Sequence, residues 1–233
     1  PAIPEQTIQD LARRLGENTQ GRRFPFVGTL ELTFRCNLRC VHCYLKGHHT
    51  VKSTEPELSY EEICDLLDEI AAAGCLWLLL TGGEPLVRAD FWDIYMYAKR
   101  KGFLITLFTN GTLITPRVAD MLQAYPPVKV EVSLYGMTPE TYESITQVTG
   151  SYARCLEGIS LLLERGIRLN LKTMLMTLNR HELDNMQTYA ENLGVDFRFD
   201  PMLNPAIGGE RFPLTYRLSP AEIVEFDKRD GRR

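Results

Sequence analysis

Cys36-Asn37-Leu38-Arg39-Cys40-Val41-His42-Cys43 sets three cysteines at C-x3-C-x2-C spacing, and the reading of this run decides the fold. Thiolates at such spacing converge on one soft metal centre. A structural zinc site or a fully protein-ligated 4Fe–4S cluster takes four ligands, so three cysteines leave one iron of a cluster open. Zinc would need His42, His48 or His49 as a fourth ligand, and neither C-x2-C…C-x2-C nor C-x2-C…H-x3-H spacing is present. Inert core thiols fit poorly among Asn37, Arg39 and His42. A disulfide framework does not suit a chain of 233 residues that opens on no signal peptide. The open 4Fe–4S cluster is the reading that remains.

A second polar run follows about forty residues downstream: Leu78-Leu79-Leu80-Thr81-Gly82-Gly83-Glu84-Pro85, an apolar strand that ends in two glycines and a carboxylate. Around these two stretches apolar, β-prone runs recur near 28–34, 76–81, 103–109, 128–134, 167–174 and 195–199, with helical patterns between them. Helix starts are signalled by Ser59 with Glu62, Asn179 with Glu182, and Ser219 with Glu222. Thr115-Pro116 and Thr138-Pro139 place a cap before a first-turn proline. Gly74, Gly102, Gly166 and Gly194 each close a helix and lead into a strand. Six β/α units in a row predict a parallel sheet. An amphipathic pattern over 4–15 and a basic linker at Gly21-Arg22-Arg23 precede them, so residues 1–27 read as a helix and linker and 28–233 as the core domain.

Taken together, the two motifs resemble the radical S-adenosylmethionine (SAM) enzyme superfamily. The C-x3-C-x2-C loop comes directly after a strand, Tyr44 follows the last cysteine, and Gly-Gly-Glu-Pro ends the second strand. The resemblance implies a partial, TIM-like (β/α)6 barrel with parallel strands, in agreement with the count of six units. It implies a 4Fe–4S cluster on Cys36, Cys40 and Cys43. It further implies that SAM chelates the open iron and is cleaved reductively to a 5′-deoxyadenosyl radical that takes hydrogen from substrate. Gly82, Gly83 and Glu84 would meet the methionine ammonium, with Pro85 stiffening the turn. Ser133 would bind the ribose, Asn170 or Lys172 the carboxylate, and His42 and Tyr44 would flank the adenine. Thr109 and Asn110, at the third strand end, would lie near SAM or substrate. A flavodoxin or ferredoxin would donate the electron.

Val132-Ser133-Leu134-Tyr135-Gly136-Met137-Thr138-Pro139 with Gly150-Ser151-Tyr152 is similar to the group that carries a SPASM or Twitch auxiliary-cluster domain. Two departures stand out. The arginine that some members place about a dozen residues past the serine is replaced by the Ser144-Ile145-Thr146 region, unlike the sulfatase maturases. No cysteine follows Cys155, so an auxiliary-cluster domain is expected to be missing from this chain. Peptide or protein modification is the leading expectation. A step in haem, quinone or molybdenum-cofactor synthesis is the alternative, and a non-catalytic iron–sulfur or zinc module is the reading from another class.

Composition narrows the partners. Hydrophobic content of 44% and charged content of 24% are those of a globular domain with a substantial core. A net charge of −4 offers nothing to nucleic acid. No apolar run approaches the roughly 20 residues of a membrane span. A reduced, cytoplasmic setting fits an open cluster. Cys64, Cys75 and Cys155 stand singly and read as small core residues.

Overall fold

The computed structural model describes residues 25–45 and 57–229, together with positions 10, 13 and 17. The expected helix over 4–15, the linker at 21–23, and His48 and His49 therefore lie outside the described residues or are touched by them at single positions only. Six strands follow in chain order: β1 (Val27–Glu31), β2 (Trp77–Thr81), β3 (Leu104–Thr109), β4 (Lys129–Ser133), β5 (Leu169–Met174) and β6 (Asp196–Asp200). Every neighbouring pair is parallel, and the spatial order β1-β2-β3-β4-β5-β6 is the sequence order. This is the half-open barrel that six consecutive β/α units build when each crossover has the same hand.

The helices between the strands are α1 (Tyr60–Ala72), α2 (Phe91–Arg100), α3 (Pro116–Ala124), α4 (Pro139–Thr146), α5 (Ser151–Glu164) and α6 (Leu183–Leu193), and α7 (Pro220–Arg229) follows β6. Ser59 and Glu62 close the expected capping box at α1, and Thr115 and Thr138 cap α3 and α4 through their hydroxyls. Ser219 and Glu222 exchange the same pair of bonds before α7. Gly74, Gly102, Gly166 and Gly194 all hold left-handed φ values between 64° and 95°, as the turn from helix to strand demands.

Two local readings change. The β4–β5 crossover carries two helices, because Gln147 at φ 57° and Gly150 at φ 75° break the chain between α4 and α5. Asn179 does not cap the following helix. Its side chain accepts from the Met176 N–H and donates to Thr173 and Met174, locking the exit from β5 instead.

The core lies between the sheet's outer face and the helices. Leu78, Leu80, Ile105, Leu107, Val130, Val132 and Leu171 are essentially unexposed there against Leu67, Ile94, Tyr95, Leu122, Ile159 and Met186. Cys64, Cys75 and Cys155 are buried in or beside it, and none of the six cysteines forms a disulfide. Strand alternation then turns Thr81, Phe108, Glu131, Ser133, Lys172 and Arg198 to the opposite face, the barrel's inside. Outward residues build stability; inward ones are left for function.

Candidate active site

A cavity of about 460 Å³ opens at the C-terminal ends of the strands. This is the end at which parallel β/α barrels do chemistry. Its walls include Cys36, Cys40, His42, Cys43 and Tyr44 after β1, and Thr81, Gly82 and Gly83 at the end of β2. Thr109 and Asn110 enter from β3, Ser133 and Tyr135 from β4, and Lys172 and Met174 from β5. Arg198, Asp200, Met202, Leu203 and Asn204 complete the wall from β6 and the segment beyond it. Residues far apart in sequence thus meet in one concavity.

The cysteine loop is held by backbone. Gly83 N–H donates to Thr33 O at 2.7 Å and Glu84 N–H to Arg35 O at 2.9 Å, tying the β2 exit to the β1 exit. A Cβ on Gly82 would overlap Thr33 O, and one on Gly83 would overlap Arg35 O and Phe34 O. Gly82 also holds φ 140°, which side chains rarely adopt. On the other side, Arg39 and Val41 N–H groups donate to Thr146 O and Ile145 O of α4, each at 2.9 Å. Asn37 accepts from Asn110 Nδ2 at 2.9 Å and donates to Thr112 at 2.8 Å.

Glu84 takes a direction the motif alone does not reveal. Its side chain is fully buried and does not line the cavity. Oε1 accepts from the Thr109 hydroxyl at 2.9 Å and from Leu86 N–H at 3.2 Å, and Oε2 accepts from Asn110 N–H at 2.7 Å. These bonds brace the ends of β2 and β3 against each other. Burial lifts its carboxyl to about 7, against the pull of those hydrogen bonds. Pro85 and Asn170 likewise stay off the cavity wall.

The electrostatics of the wall follow from burial. Desolvation pushes the Cys36 thiol up to about 11 and Cys40 well above its ordinary value, and the neighbouring thiols add to the rise. Such thiols ionise only beside a cationic centre, and that is what a metal cluster supplies. Among the described residues no three Cys, His, Asp or Glu groups close on a single ion. Cys36, Cys40 and Cys43 nevertheless share one cavity wall and lie close enough to raise one another's pKa, a three-thiolate donor set that leaves one iron of a cluster open. The three cysteines therefore fit a cluster. His42 is buried, edge-on to Tyr135 at 5.0 Å, and burial lowers its ring to about 4. Its Nδ1 has no partner among the described residues. Tyr44 donates to Glu31 at 2.5 Å. Lys172 Nζ lies 2.9 Å from the centroid of the Phe108 ring, and desolvation brings its ammonium down to about 7.

Sequence reasoning missed several residues. Arg88 is 7% exposed and donates to Leu32 O, Leu58 O and Asp90, holding the end of β1 from behind. Glu57 bonds Thr33 and Arg35 at the root of the cysteine loop. Nothing local in sequence marks either. Tyr135 could have been found by carrying the β4 alternation two residues past Ser133, and Arg198 by applying the same alternation to β6.

With this geometry in hand, the comparisons are specific. Residues 30–190 match the Radical SAM superfamily, and the chain belongs to it. Membership implies a 4Fe–4S cluster and SAM as cofactors. The chain is 35% identical over 164 residues to the AdoMet-dependent heme synthase of Methanosarcina barkeri, covering 70% of this chain and 46% of that protein. It is 33% identical over 187 residues to the mycofactocin maturase MftC of Mycobacterium tuberculosis, covering 80% and 47%. The chain thus spans about half the length of the curated relatives it matches. Its fold is similar to that of Streptococcus suis SuiB bound to S-adenosylmethionine, with a TM-score of 0.74 at 14% identity over 97% of this chain and 53% of that one. SuiB has also been solved with its precursor peptide SuiA. Among the described residues no helix is long and apolar enough to cross a membrane.

Proposed function

We propose that this protein is a radical SAM enzyme that takes hydrogen from a peptide substrate. When bound, the cluster supplies the electron that splits SAM into methionine and a 5′-deoxyadenosyl radical. Cys36, Cys40 and Cys43 would hold that cluster, leaving one iron for SAM. The paired glycines would let the backbone at the β2 exit approach the cofactor's amino group. Ser133 would take a ribose hydroxyl and Lys172 the carboxylate, since a desolvated cation calls for an anion. His42, Tyr44 and Tyr135 would bound the adenine and exclude water from it. A flavodoxin or ferredoxin is the proposed electron donor.

The fold shared with SuiB, which has been solved with a precursor peptide, supports the substrate reading. At about 460 Å³ the cavity sits near the low end of pockets that enclose one drug-sized ligand, which run from about 300 to 1,000 Å³. A cluster and a nucleoside cofactor take up a space of that order, which limits what else can enter. A peptide meets that limit by inserting a single residue while its backbone stays outside. The relation to MftC agrees with this reading. The relation to heme synthase supports a second one, in which a tetrapyrrole edge enters the same mouth.

Anaerobic reconstitution, reduction with dithionite and chromatography test the chemistry. We expect 5′-deoxyadenosine and methionine from the parent and neither from Cys36→Ala. Deuterated short peptides and a deuterated iron porphyrin then separate the two substrates. Deuterium carried into 5′-deoxyadenosine from the porphyrin alone would replace the peptide reading with the second.

A further inference from the structure

Ser133, Lys172 and Arg198 stand side by side in register across β4, β5 and β6, and all three line the cavity. The residues assigned to cluster and SAM come from the ends of β1 to β5. Arg198 belongs to β6, on the side of the cavity to which no cofactor contact has been given.

Its surroundings prepare it for a ligand. Glu131 sits one layer below, with a side chain only 4% exposed, whereas that of Arg198 is 52% exposed. Arg198 spends Nε and Nη2 on a single Glu131 oxygen, at 3.2 and 2.6 Å. The other Glu131 oxygen is taken by Lys129 at 2.6 Å. The guanidinium is thus held from beneath, lies 5.6 Å from the Phe108 ring centroid, and keeps Nη1 without a hydrogen bond among the described residues. Lys172 donates no hydrogen bond there either. Glu131 therefore faces Lys129 and Arg198 directly, while Lys172 lies in the field of both Glu131 and Glu84. Asp200, next on the same strand face, accepts from Met202 N–H at 2.8 Å and makes no ion pair with Arg198. With Lys172 given to the cofactor carboxylate, Arg198 is the cation on this side of the wall to which no ligand group has been assigned. A guanidinium held through Nε and Nη2 on one side, with its Nη1 side open to the cavity, is placed to take a second carboxylate.

We propose that Arg198 anchors a carboxylate of the substrate, either an acidic side chain or a free C-terminus of the peptide. This rests on the peptide reading above and assigns its polar anchor. Glu131 acts as a positioning residue that fixes the guanidinium.

Calorimetry on the cluster-loaded, SAM-bound protein tests the proposal with two probe pairs. One is acetyl-Gly-Asp-Gly-amide against its Asn counterpart; the other is acetyl-triglycine against its amide. In at least one pair the acid should bind about tenfold tighter, the worth of one charge-assisted contact. The pair that responds identifies the source of the carboxylate. Arg198→Gln should erase most of the preference, and Arg198→Lys should restore part of it. Equal binding within both pairs by the parent overturns the assignment, whatever the variants do. So does a preference that survives Arg198→Gln at full iron content. A parent that fails to bind SAM at all would instead bring down the radical SAM reading.

Discussion

Gly83 shows how little a motif says about its own cause. The expected reason for the paired glycines was room for a ligand's amino group. The structure adds a nearer one, because a Cβ on Gly83 would drive into Arg35 O and Phe34 O of the cysteine loop. Gly83→Ala should therefore displace the thiolates as well as the cofactor. We expect lower iron per chain and a loss of about 1–3 kcal/mol in urea unfolding, the range for overpacked sites. Full iron content with parental stability would return the glycine to a purely ligand-facing role. Glu84 supports a second prediction at this scale. Its folded pKa of about 7 lies above the ordinary 4.5, so its contribution to stability is complete below about pH 4.5. As pH rises, the unfolded chain ionises first, and that contribution is lost up to about pH 7. Between pH 5 and 7 the parent's unfolding midpoint should fall, and Glu84→Gln should flatten that slope. A slope unchanged in the variant would assign it to another group.

At the scale of elements, the turn before α6 supports the loop after β4. Glu182 is 5% exposed and accepts from Met137 N–H at 2.5 Å, Thr138 Oγ1 at 2.7 Å and Thr141 Oγ1 at 2.6 Å. Burial opposes its ionisation, yet the bonds from Thr141, Thr138 and Met137 hold its carboxyl below the usual value. That brace fixes the segment carrying Ser133 and Tyr135 into the cavity. Glu182→Ala strands three donors, at about 1–3 kcal/mol for each one left buried and unpaired. Melting should drop by about 2–4 °C per kcal/mol lost, with SAM affinity falling in parallel. Glu182→Gln keeps one carbonyl acceptor and should recover part of both. A melting point unmoved in the alanine variant would show that α4 is held by its own cap. Sequence marked Glu182 as half of a capping box with Asn179. Its true partners are about forty residues away, beyond the reach of a local pattern.

For the molecule as a whole, stability and chemistry occupy opposite faces of one sheet. Leu107 and Leu80 are wholly buried on the helix side, whereas Cys36, Cys40 and Cys43 lie in the cavity. Leu107→Ala should cost about 2–5 kcal/mol as a cavity-forming change. Cys40→Ala should lose the iron chromophore yet keep its far-ultraviolet circular dichroism. If Cys40→Ala unfolds the protein, the cluster is part of the core and the two faces are not separate. The division also explains what could be read in advance. Six β/α units, four of the five cap signals, the helix-closing glycines and the cysteine run are local in sequence, since each depends on residues within a few positions. These determined the order of elements, the parallel sheet and the three thiolates. The tertiary structure alone decided that Glu84 turns to β3, that Arg88 and Glu57 hold the cysteine loop, and that Arg198 joins Lys172 and Ser133 in one layer. Those contacts join strands that are distant in sequence. Which side of a residue faces a partner is settled by sheet register and close packing, and no single stretch of chain encodes either.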